Sequence, residues 1–334
     1  MPQTQRPVLL IGGSGIVGLE AARELRRRYP DLPITIGGRD IGRAQKAVAE
    51  IGNATATAVD LSRSDLGLAH PTFGAIAIFV KVQTLNSLRY ALDHKIPYID
   101  ISTGAFEIGP EAALFIHHPD RAPVLLASQW LAGAAVFPTL QAASRYESIT
   151  SIRIGAVFDE QDMGGPAAAA DYDRLTSAAP ASLTVHQGKD LWLTAEQGRT
   201  TVTSVDGVPL DARAYSPFDV LSLRAATNAE SIRFDFAYGQ SASRRRGESY
   251  STEIIIDIAG RAKDGTETSS HIEIVHPRGQ APLTALGVVL GLEALLGLRA
   301  NAPAAGLYLP ELLIDPSYFV GEMMAIGARF DVAR

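Results

Sequence analysis

A glycine-rich segment near the start of the chain has the spacing of a phosphate-binding turn. Gly13, Gly15 and Gly18 form the pattern G-x-G-x-x-G directly after the apolar run Val8–Ile11 and directly before a segment with helical periodicity. In such turns the first glycine allows a tight bend, the second lets the backbone approach a pyrophosphate, and the third lets the helix pack on the strand. The N–H groups that open the helix then point toward the phosphates. The sequence therefore predicts a dinucleotide site formed by Gly13, Ser14, Gly15, Ile16, Val17 and Gly18; the alternative is a glycine-rich turn that binds nothing.

The end of the second predicted strand indicates which dinucleotide is bound. Sites for NAD(H) place an acidic residue there to hold the ribose 2′-hydroxyl, whereas this strand ends in Gly37-Gly38-Arg39. A guanidinium can bind a 2′-phosphate through two hydrogen bonds and stack on the adenine, and Arg43 follows one helical turn later. We therefore expect NADP(H). The alternative is that Asp40 holds the ribose while Arg39 only stacks.

Other cofactor contacts are expected where later strands of the same sheet end. Ligands of open parallel sheets bind at the carboxyl ends of the strands. The candidates are Asp60 and Leu61 beside the adenine, Val80, Lys81 and Gln83 beside the nicotinamide, and Ser102 after the fifth strand.

Three residues are candidates for the chemistry that accompanies hydride transfer, namely binding the substrate and placing a proton. Lys81 follows an apolar strand, so it can donate a proton or anchor a carboxylate; the alternative is a solvated lysine. Tyr172 and Arg174 fall in a predicted helix after the strand that ends near Asp159, and we expect a general acid and a carboxylate clamp from them. The alternative for each is a surface residue that caps the helix.

Composition excludes several classes of protein and of site. The chain has no cysteine, so disulfides and thiolate sites are excluded, and the adjacent His117 and His118 cannot chelate one metal ion, so we assign no metal. A net charge of -6 argues against general nucleic-acid binding, and Arg244–Arg246 is interpreted as a solvated loop. The apolar stretch Ala281–Leu298 contains Glu293 and favours a buried helix over a membrane span, so we expect a cytoplasmic protein.

The order of predicted elements indicates two domains, as the length of 334 residues suggests. Residues 1–130 alternate strands and helices, which predicts an α/β, Rossmann-type doubly wound parallel sheet. Residues 131–281 carry short strands joined by turns at Asp206-Gly207 and Asp264-Gly265, which predicts an α+β substrate and dimerisation domain built on a mainly antiparallel sheet. Two helices, over Leu283–Leu298 and Ser317–Phe330, are expected within residues 282–334, which are assigned to the first domain.

One strand of the second domain suggests how the sheet is covered. Ile254-Ile255-Ile256 is a continuous apolar run, so both faces of this strand should be buried. We expect a helix from residues 160–182 on one face, and the Rossmann half or the same sheet of a second subunit on the other.

The sequence resembles the saccharopine dehydrogenase-like oxidoreductases at both ends. The segments that carry the resemblance are Leu9–Gly18, Ile36–Asp40, Tyr98–Gly104 and Gly306–Pro316. The resemblance implies a Rossmann domain interrupted by a substrate domain, and it favours a homodimer. Phe79–Gln83 and Gln129–Gly133 depart from the usual pattern beside the expected nicotinamide pocket, which puts the standard substrate in doubt. The short-chain dehydrogenases are excluded because no lysine has a tyrosine four residues before it.

The expected function is that of an NADP(H)-dependent oxidoreductase acting on a small-molecule substrate. The resemblance favours reduction of an imine or related polarised double bond of a substrate that is amino-acid-derived. Two alternatives stay open: a reductase of a lipid-like or apolar enone, and a sensor or scaffold protein that binds NADP(H) without turnover.

Overall fold

The computed structural model describes residues 6–69, 72–162, 170, 173–174 and 181–333. The chain forms two compact units: the first contains Met1–Ser128 and Thr284–Ile314, and the second contains Gln129–Leu283 and Asp315–Arg334. The chain thus leaves the first unit after Ser128, returns to it at Thr284, and enters the second unit again at Asp315.

The first unit is a parallel sheet in the strand order β15-β6-β5-β4-β1-β2-β3. Its strands are β1 (Val8–Ile11), β2 (Ile34–Gly38), β3 (Ala54–Ala58), β4 (Ala75–Ile78), β5 (Tyr98–Asp100), β6 (Pro123–Leu126) and β15 (Gly306–Tyr308). Its helices are α1 (Ile16–Arg28), α2 (Ile41–Ile51), α3 (Asn86–Asp93), α4 (Ile108–Ile116) and α8 (Ala281–Leu296), of which α8 enters this unit at Thr284. The central strands β1 and β4 are buried along their whole length, as expected for a sheet covered on both faces.

A glycine allows the helix α8 to pack closely against the parallel sheet. A Cβ at Gly291 would lie 2.7 Å from Cδ1 of Ile99 and 2.9 Å from Cδ2 of Leu125, so only a glycine lets the helix approach β5 and β6 this closely. The expected buried helix between residues 281 and 298 is confirmed. In the part of the chain that the structure describes, no helix is both long enough and apolar enough to cross a membrane.

The second unit is a mixed sheet in the order β10-β11-β12-β7-β13-β14-β16, with the β8–β9 hairpin attached to β12. Its strands are β7 (Tyr146–Asp159), β8 (Ala181–His186), β9 (Lys189–Thr194), β10 (Arg199–Thr203), β11 (Pro209–Ala214), β12 (Ser231–Gly239), β13 (Thr252–Ala262), β14 (Glu267–His276) and β16 (Arg329–Ala333). Its helices are α5 (Val136–Ala143), α6 (Asp219–Ala226), the short α7 (Ala242–Arg245) and α9 (Pro316–Ala325). Apart from the parallel pair β7–β12, its strand pairs are antiparallel, which confirms the predicted fold class.

The last segment differs from the expectation. A helix was predicted over 317–330, and the whole of 282–334 was assigned to the first domain. Instead α9 ends at Ala325, Gly327 takes a left-handed φ of 104°, and β16 pairs antiparallel with β14 of the second sheet. The ring of Phe319 in α9 stacks on Phe137 of α5 at 4.0 Å, so residues 315–334 pack within the second unit.

The coverage of β13 also differs from the expectation. Ile255 is buried against Val157, Val202 and Ala237, with Leu210 packed on the same cluster. The strands β10 and β11 therefore cover this face from within the chain, and the apolar run does not require a second subunit. Ile254 and Ile256, on the other face, are fully buried, and α5 packs against β7 and β13. The helix expected from 160–182 falls largely outside the described residues.

Candidate functional site

The turn between β1 and α1 is built so that strand and helix touch. A Cβ at Gly18 would lie 2.5 Å from the carbonyl oxygen of Gly12 and 2.6 Å from Cα of Gly13, so any side chain there would collide with backbone. The tight bend was predicted at Gly13, but the left-handed conformation belongs to Gly12, with a φ of 85°. Gly13 is needed for another reason, since a Cβ there would lie 2.9 Å from both Cβ and O of Leu10.

The space next to Gly15 is open. A Cβ at Gly15 would meet only the carbonyl oxygen of Gly12, at 3.2 Å, and Gly15 is the residue that caps α1. Ser14 is half-buried, and Ile16, the first residue of the helix, is 52% exposed. The helix therefore presents its first N–H groups at an open backbone surface beside Gly15. This surface, the Gly15 cradle, fits the pyrophosphate of a dinucleotide.

The turn lies at the point where the strand order of the sheet reverses. β1 has β2 on one side and β4 on the other, and the chain builds outward from β1 in both directions. The N–H of Phe79 donates to O of Ile11 at 2.9 Å, and Cγ1 of Val80 lies 2.9 Å from the Cβ position of Gly12. The structure thus brings the predicted residue Val80 to the glycine turn, at the place where doubly wound sheets bind ligands.

The ends of β2 and β3 carry the predicted adenosine-side residues. Arg39 and Arg43 are exposed, and Asp40 caps α2 by accepting the N–H of Arg43 at 3.1 Å. Asp60 is exposed, and its pKa is lowered because it accepts the hydroxyl of Ser62 at 2.6 Å and the N–H of Ser62 at 2.9 Å. Two side chains, Thr84 and Asn86, donate to the carbonyl oxygen of Leu61 and so tie the end of β3 to the start of α3.

Lys81 is held by a carboxylate. Its Nζ lies 2.9 Å from Oε2 of Glu107, which also accepts the N–H of Gly104 at 2.8 Å. The lysine side chain is 23% exposed. The alternative of a freely solvated lysine is therefore wrong: the ammonium group is fixed just beyond the carboxyl end of β4.

A pair of carboxyl groups that the sequence analysis missed lies at the end of β5. Oγ1 of Thr103 is 2.7 Å from Oε1 of Glu111 and 3.3 Å from Oδ1 of Asp100. Burial raises the pKa of Asp100. Burial, reinforced by the nearby Asp100, raises the pKa of Glu111 to about 7. The predicted residue Ser102 is itself buried, and its N–H donates to Oδ1 of Asp100 at 2.7 Å.

The remaining catalytic candidates belong to the second unit. Tyr172 lies outside the described residues, and Arg174 is half-buried. The structure gives neither of them a described place beside Lys81.

A strained turn opens the second unit. Leu131 and Ala132 have φ angles of 49° and 52°, a left-handed conformation that is costly for residues with a Cβ. The fully buried Asp219 accepts the N–H of Trp130 at 2.6 Å, and Nε2 of Gln129 donates to Oγ of Ser222 at 2.7 Å. The helix α6 thus holds the turn in place.

Aromatic rings line one face of β7 and β12 in the second unit. Phe158 lies 5.7 Å from Phe236 and stacks on Tyr238 at 5.8 Å, measured between ring centroids. Phe236 is buried, Phe158 is half-buried and Tyr238 is 49% exposed, so the row becomes accessible toward the carboxyl ends of the strands. Tyr215 and Trp130 pack behind Phe236.

Two arginines of the helix α7, Arg244 and Arg245, are bound to carboxylates. The side chain of Arg244 is only 11% exposed and contacts Asp159 and Glu160, while Arg245 binds Asp206. The interpretation of Arg244–Arg246 as a solvated loop is therefore wrong for the first two residues, because the helix α7 turns them inward. Among the residues that the structure describes, no cluster of histidines and carboxylates could hold a metal ion.

Comparison with known proteins gives a likeness of fold. No family profile matches the sequence. No curated protein matches it either. The structure is similar to apo saccharopine dehydrogenase (L-Glu forming) from Saccharomyces cerevisiae, with a TM-score of 0.66 at 11% identity over 98% of this chain and 100% of that one. The chain has a saccharopine dehydrogenase-like fold. It is also similar to the homospermidine synthase from Legionella pneumophila in complex with NAD, with a TM-score of 0.61 at 10% identity over 98% of this chain and 91% of that one.

Proposed function

We propose that the chain is an NADP(H)-dependent oxidoreductase that reduces an imine or a related polarised double bond of a small, amino-acid-derived substrate. The observation that carries the proposal is the open cradle over Gly15 in a turn that Val80 contacts at Gly12. The ion-paired Lys81 directly follows Val80 at the same edge of the sheet. The similar structures are of a saccharopine dehydrogenase and of a synthase in complex with NAD, which supports a dinucleotide-dependent reaction.

Each group of residues has a role in this proposal. The bound nicotinamide supplies the hydride. The glycine turn, with Ser14, Ile16 and Val17, holds the pyrophosphate, while Arg39 and Arg43 bind the 2′-phosphate. Asp40, Asp60, Leu61 and Ser102 complete the cofactor contacts. Lys81 donates the proton or anchors the substrate, with Tyr172 and Arg174 as further candidates in the second unit.

A second candidate, a reductase of an apolar enone, is favoured by one observation. The accessible aromatic row of Phe158 and Tyr238 suits a flat, uncharged group. On the opposite face of β12, Arg233 is bound to Asp235 at 2.7 Å, so this arginine is not offered to a substrate carboxylate.

One experiment separates these proposals. The oxidation of NADPH and of NADH is followed with a panel of oxo-acid and amine mixtures, and with a panel of apolar enones. Turnover of the first panel supports the imine reductase, and turnover of the second supports the enone reductase. Tight NADPH binding with no turnover of either panel would instead indicate a sensor or scaffold protein and would contradict both.

The assembly and location of the protein belong to the same proposal. The resemblance favours a homodimer, and the composition favours a cytoplasmic protein. Light scattering at micromolar concentration measures the mass directly. A particle of the mass of one 35.5 kDa chain, unchanged by NADPH, would contradict the dimer.

A further inference from the structure

The hydroxyl group of Thr103 contacts two carboxyl groups but has only one proton to give. Its Oγ1 is 2.7 Å from Oε1 of Glu111 and 3.3 Å from Oδ1 of Asp100, and its N–H is already bound to Oγ of Ser128 at 3.0 Å. If both carboxyl groups were ionised, one contact would be between two oxygens with no hydrogen between them. A proton on Glu111 removes the conflict, because Glu111 then donates to Thr103 and Thr103 donates to Asp100.

The surroundings decide which member of the pair is the anion. Asp100 is 2% exposed and accepts the N–H of Ser102 at 2.7 Å and the hydroxyl of Tyr98 at 3.3 Å. Glu111 accepts from Thr103, but its buried Oε2 has no hydrogen-bond partner among the described residues. Asp100 accepts more hydrogen bonds and is therefore the better-stabilised anion. Glu111 is the member of the pair that holds the proton.

Three other ionisable groups face the pair. Lys81, after β4, favours ionisation of both carboxyl groups, and its partner Glu107, just before α4, opposes ionisation of Glu111. Tyr98 of β5 stays protonated, because burial raises the pKa of its hydroxyl. Burial and the charge of Asp100 raise the pKa of Glu111 to about 7, so a modest change in local charge can remove the proton at neutral pH.

We propose that Asp100 and Glu111, joined through Thr103, share one proton that is released when an oxidised nicotinamide cofactor binds. The inference rests on the proposed function. Asp100 is the last residue of β5, which pairs with β4, and the charge of Lys81 acts on both carboxyl groups. Val80 and Lys81, which follow β4, are the residues expected beside the nicotinamide. The oxidised ring carries a positive charge that the reduced ring lacks, and a nearby positive charge favours full ionisation of the pair. Glu111 is therefore a positioning residue, which sets the charge of the site according to the redox state of the cofactor.

Calorimetric titration with NADP⁺ and with NADPH, in buffers of different ionisation enthalpy, counts the protons released on binding. Near pH 7 we expect release of about half a proton with NADP⁺ and close to none with NADPH, because a group with a pKa near the solution pH is about half protonated. Glu111→Gln should bind NADP⁺ without releasing a proton, whereas the control Asp120→Asn, at an exposed carboxyl group after α4, should release as much as the wild type. Equal proton release by the wild type and Glu111→Gln would overturn the proposal.

A second measurement needs no cofactor. The infrared band of a protonated carboxyl group should be present at about pH 6, disappear by about pH 8.5, and be absent from Glu111→Gln at both values. Absence of this band from the folded wild-type protein would overturn the shared proton. If neither dinucleotide binds while the band behaves as expected, the proposed function fails and the shared proton stands.

Discussion

Nζ of Lys81 and Oε2 of Glu107 lie 2.9 Å apart, and the same oxygen accepts the N–H of Gly104, so the lysine is fixed by a carboxylate that is itself fixed. An ammonium group held in this way at a strand end can bind a substrate oxygen or nitrogen and give it a proton.

Replacing Lys81 tests its role. Lys81→Met keeps the length of the side chain and removes the charge, so NADPH binding should persist while turnover falls by roughly 10²–10⁴-fold, the usual contribution of a general acid. Lys95→Met, at an exposed lysine after α3, is the matched control and should keep wild-type turnover. An unchanged rate in Lys81→Met would remove this lysine from the chemistry.

The proposed preference for NADP(H) over NAD(H) rests on Arg39. Arg39→Ala should weaken NADPH binding by about 1.5–3 kcal/mol for each charge-assisted hydrogen bond lost, which is roughly tenfold or more, and should affect NADH much less. Arg63→Ala, at an exposed arginine bound to Asp65, serves as the control. Equal losses for both cofactors would mean that Arg39 only stacks on the adenine and that Asp40 holds the ribose.

Asp219 should be essential to the strained turn that opens the second unit. Asp219→Ala removes the acceptor of the buried Trp130 N–H and leaves that donor without a partner, so the free energy of unfolding should fall by about 1–3 kcal/mol. Asp211→Ala, at an exposed position of β11, should change it by less than about 0.5 kcal/mol. Denaturant titration measures both. A loss as small as the control's would show that the turn holds its conformation without this carboxylate.

The raised pKa of Glu111 makes stability depend on pH. A carboxyl group whose pKa is about 7 in the folded protein, against 4.5 as its ordinary value, binds its proton more tightly when folded. Its stabilising contribution is complete below about pH 4.5 and is lost as the pH rises through about 7. Between pH 5 and 8 the melting temperature of Glu111→Gln should therefore decline less than that of the wild type. If the melting temperatures of the two proteins declined equally over this pH range, a raised pKa at Glu111 would be contradicted.

The sequence predicted the first unit well because its signals are local. The buried strand, the glycine spacing and the amphipathic helix each follow from neighbouring residues, as β1 and α1 illustrate. The second unit was predicted less completely. The strand β9 is almost entirely exposed, so it lacks the alternation that identifies a half-buried strand. The end of α9 had a usable signal in Gly327, a typical glycine after a helix.

In the candidate site too, only residues with a local sequence signal could be predicted. The placement of Gly15 and Val80 at one edge of the sheet could be predicted from the sequence, because each follows a recognisable strand. Glu111 could not be identified in this way, because a glutamate on a short helix is usually a surface residue. Only the packing of the fold brings it close to Asp100.

The central claim, that the glycine turn binds the pyrophosphate of a nicotinamide dinucleotide, is tested most directly at Gly15. A Cβ there would enter the cradle while meeting only one backbone atom, whereas a Cβ at Gly18 would collide with the backbone of the turn and damage the fold. The measurement is the NADPH dissociation constant of Gly15→Val, together with its melting temperature. The control is Gly109→Ala in α4, where a Cβ meets nothing within 4 Å. We predict a folded Gly15→Val protein with NADPH affinity reduced at least about tenfold, a loss of about 1.4 kcal/mol; unchanged affinity in that folded variant would contradict the assignment.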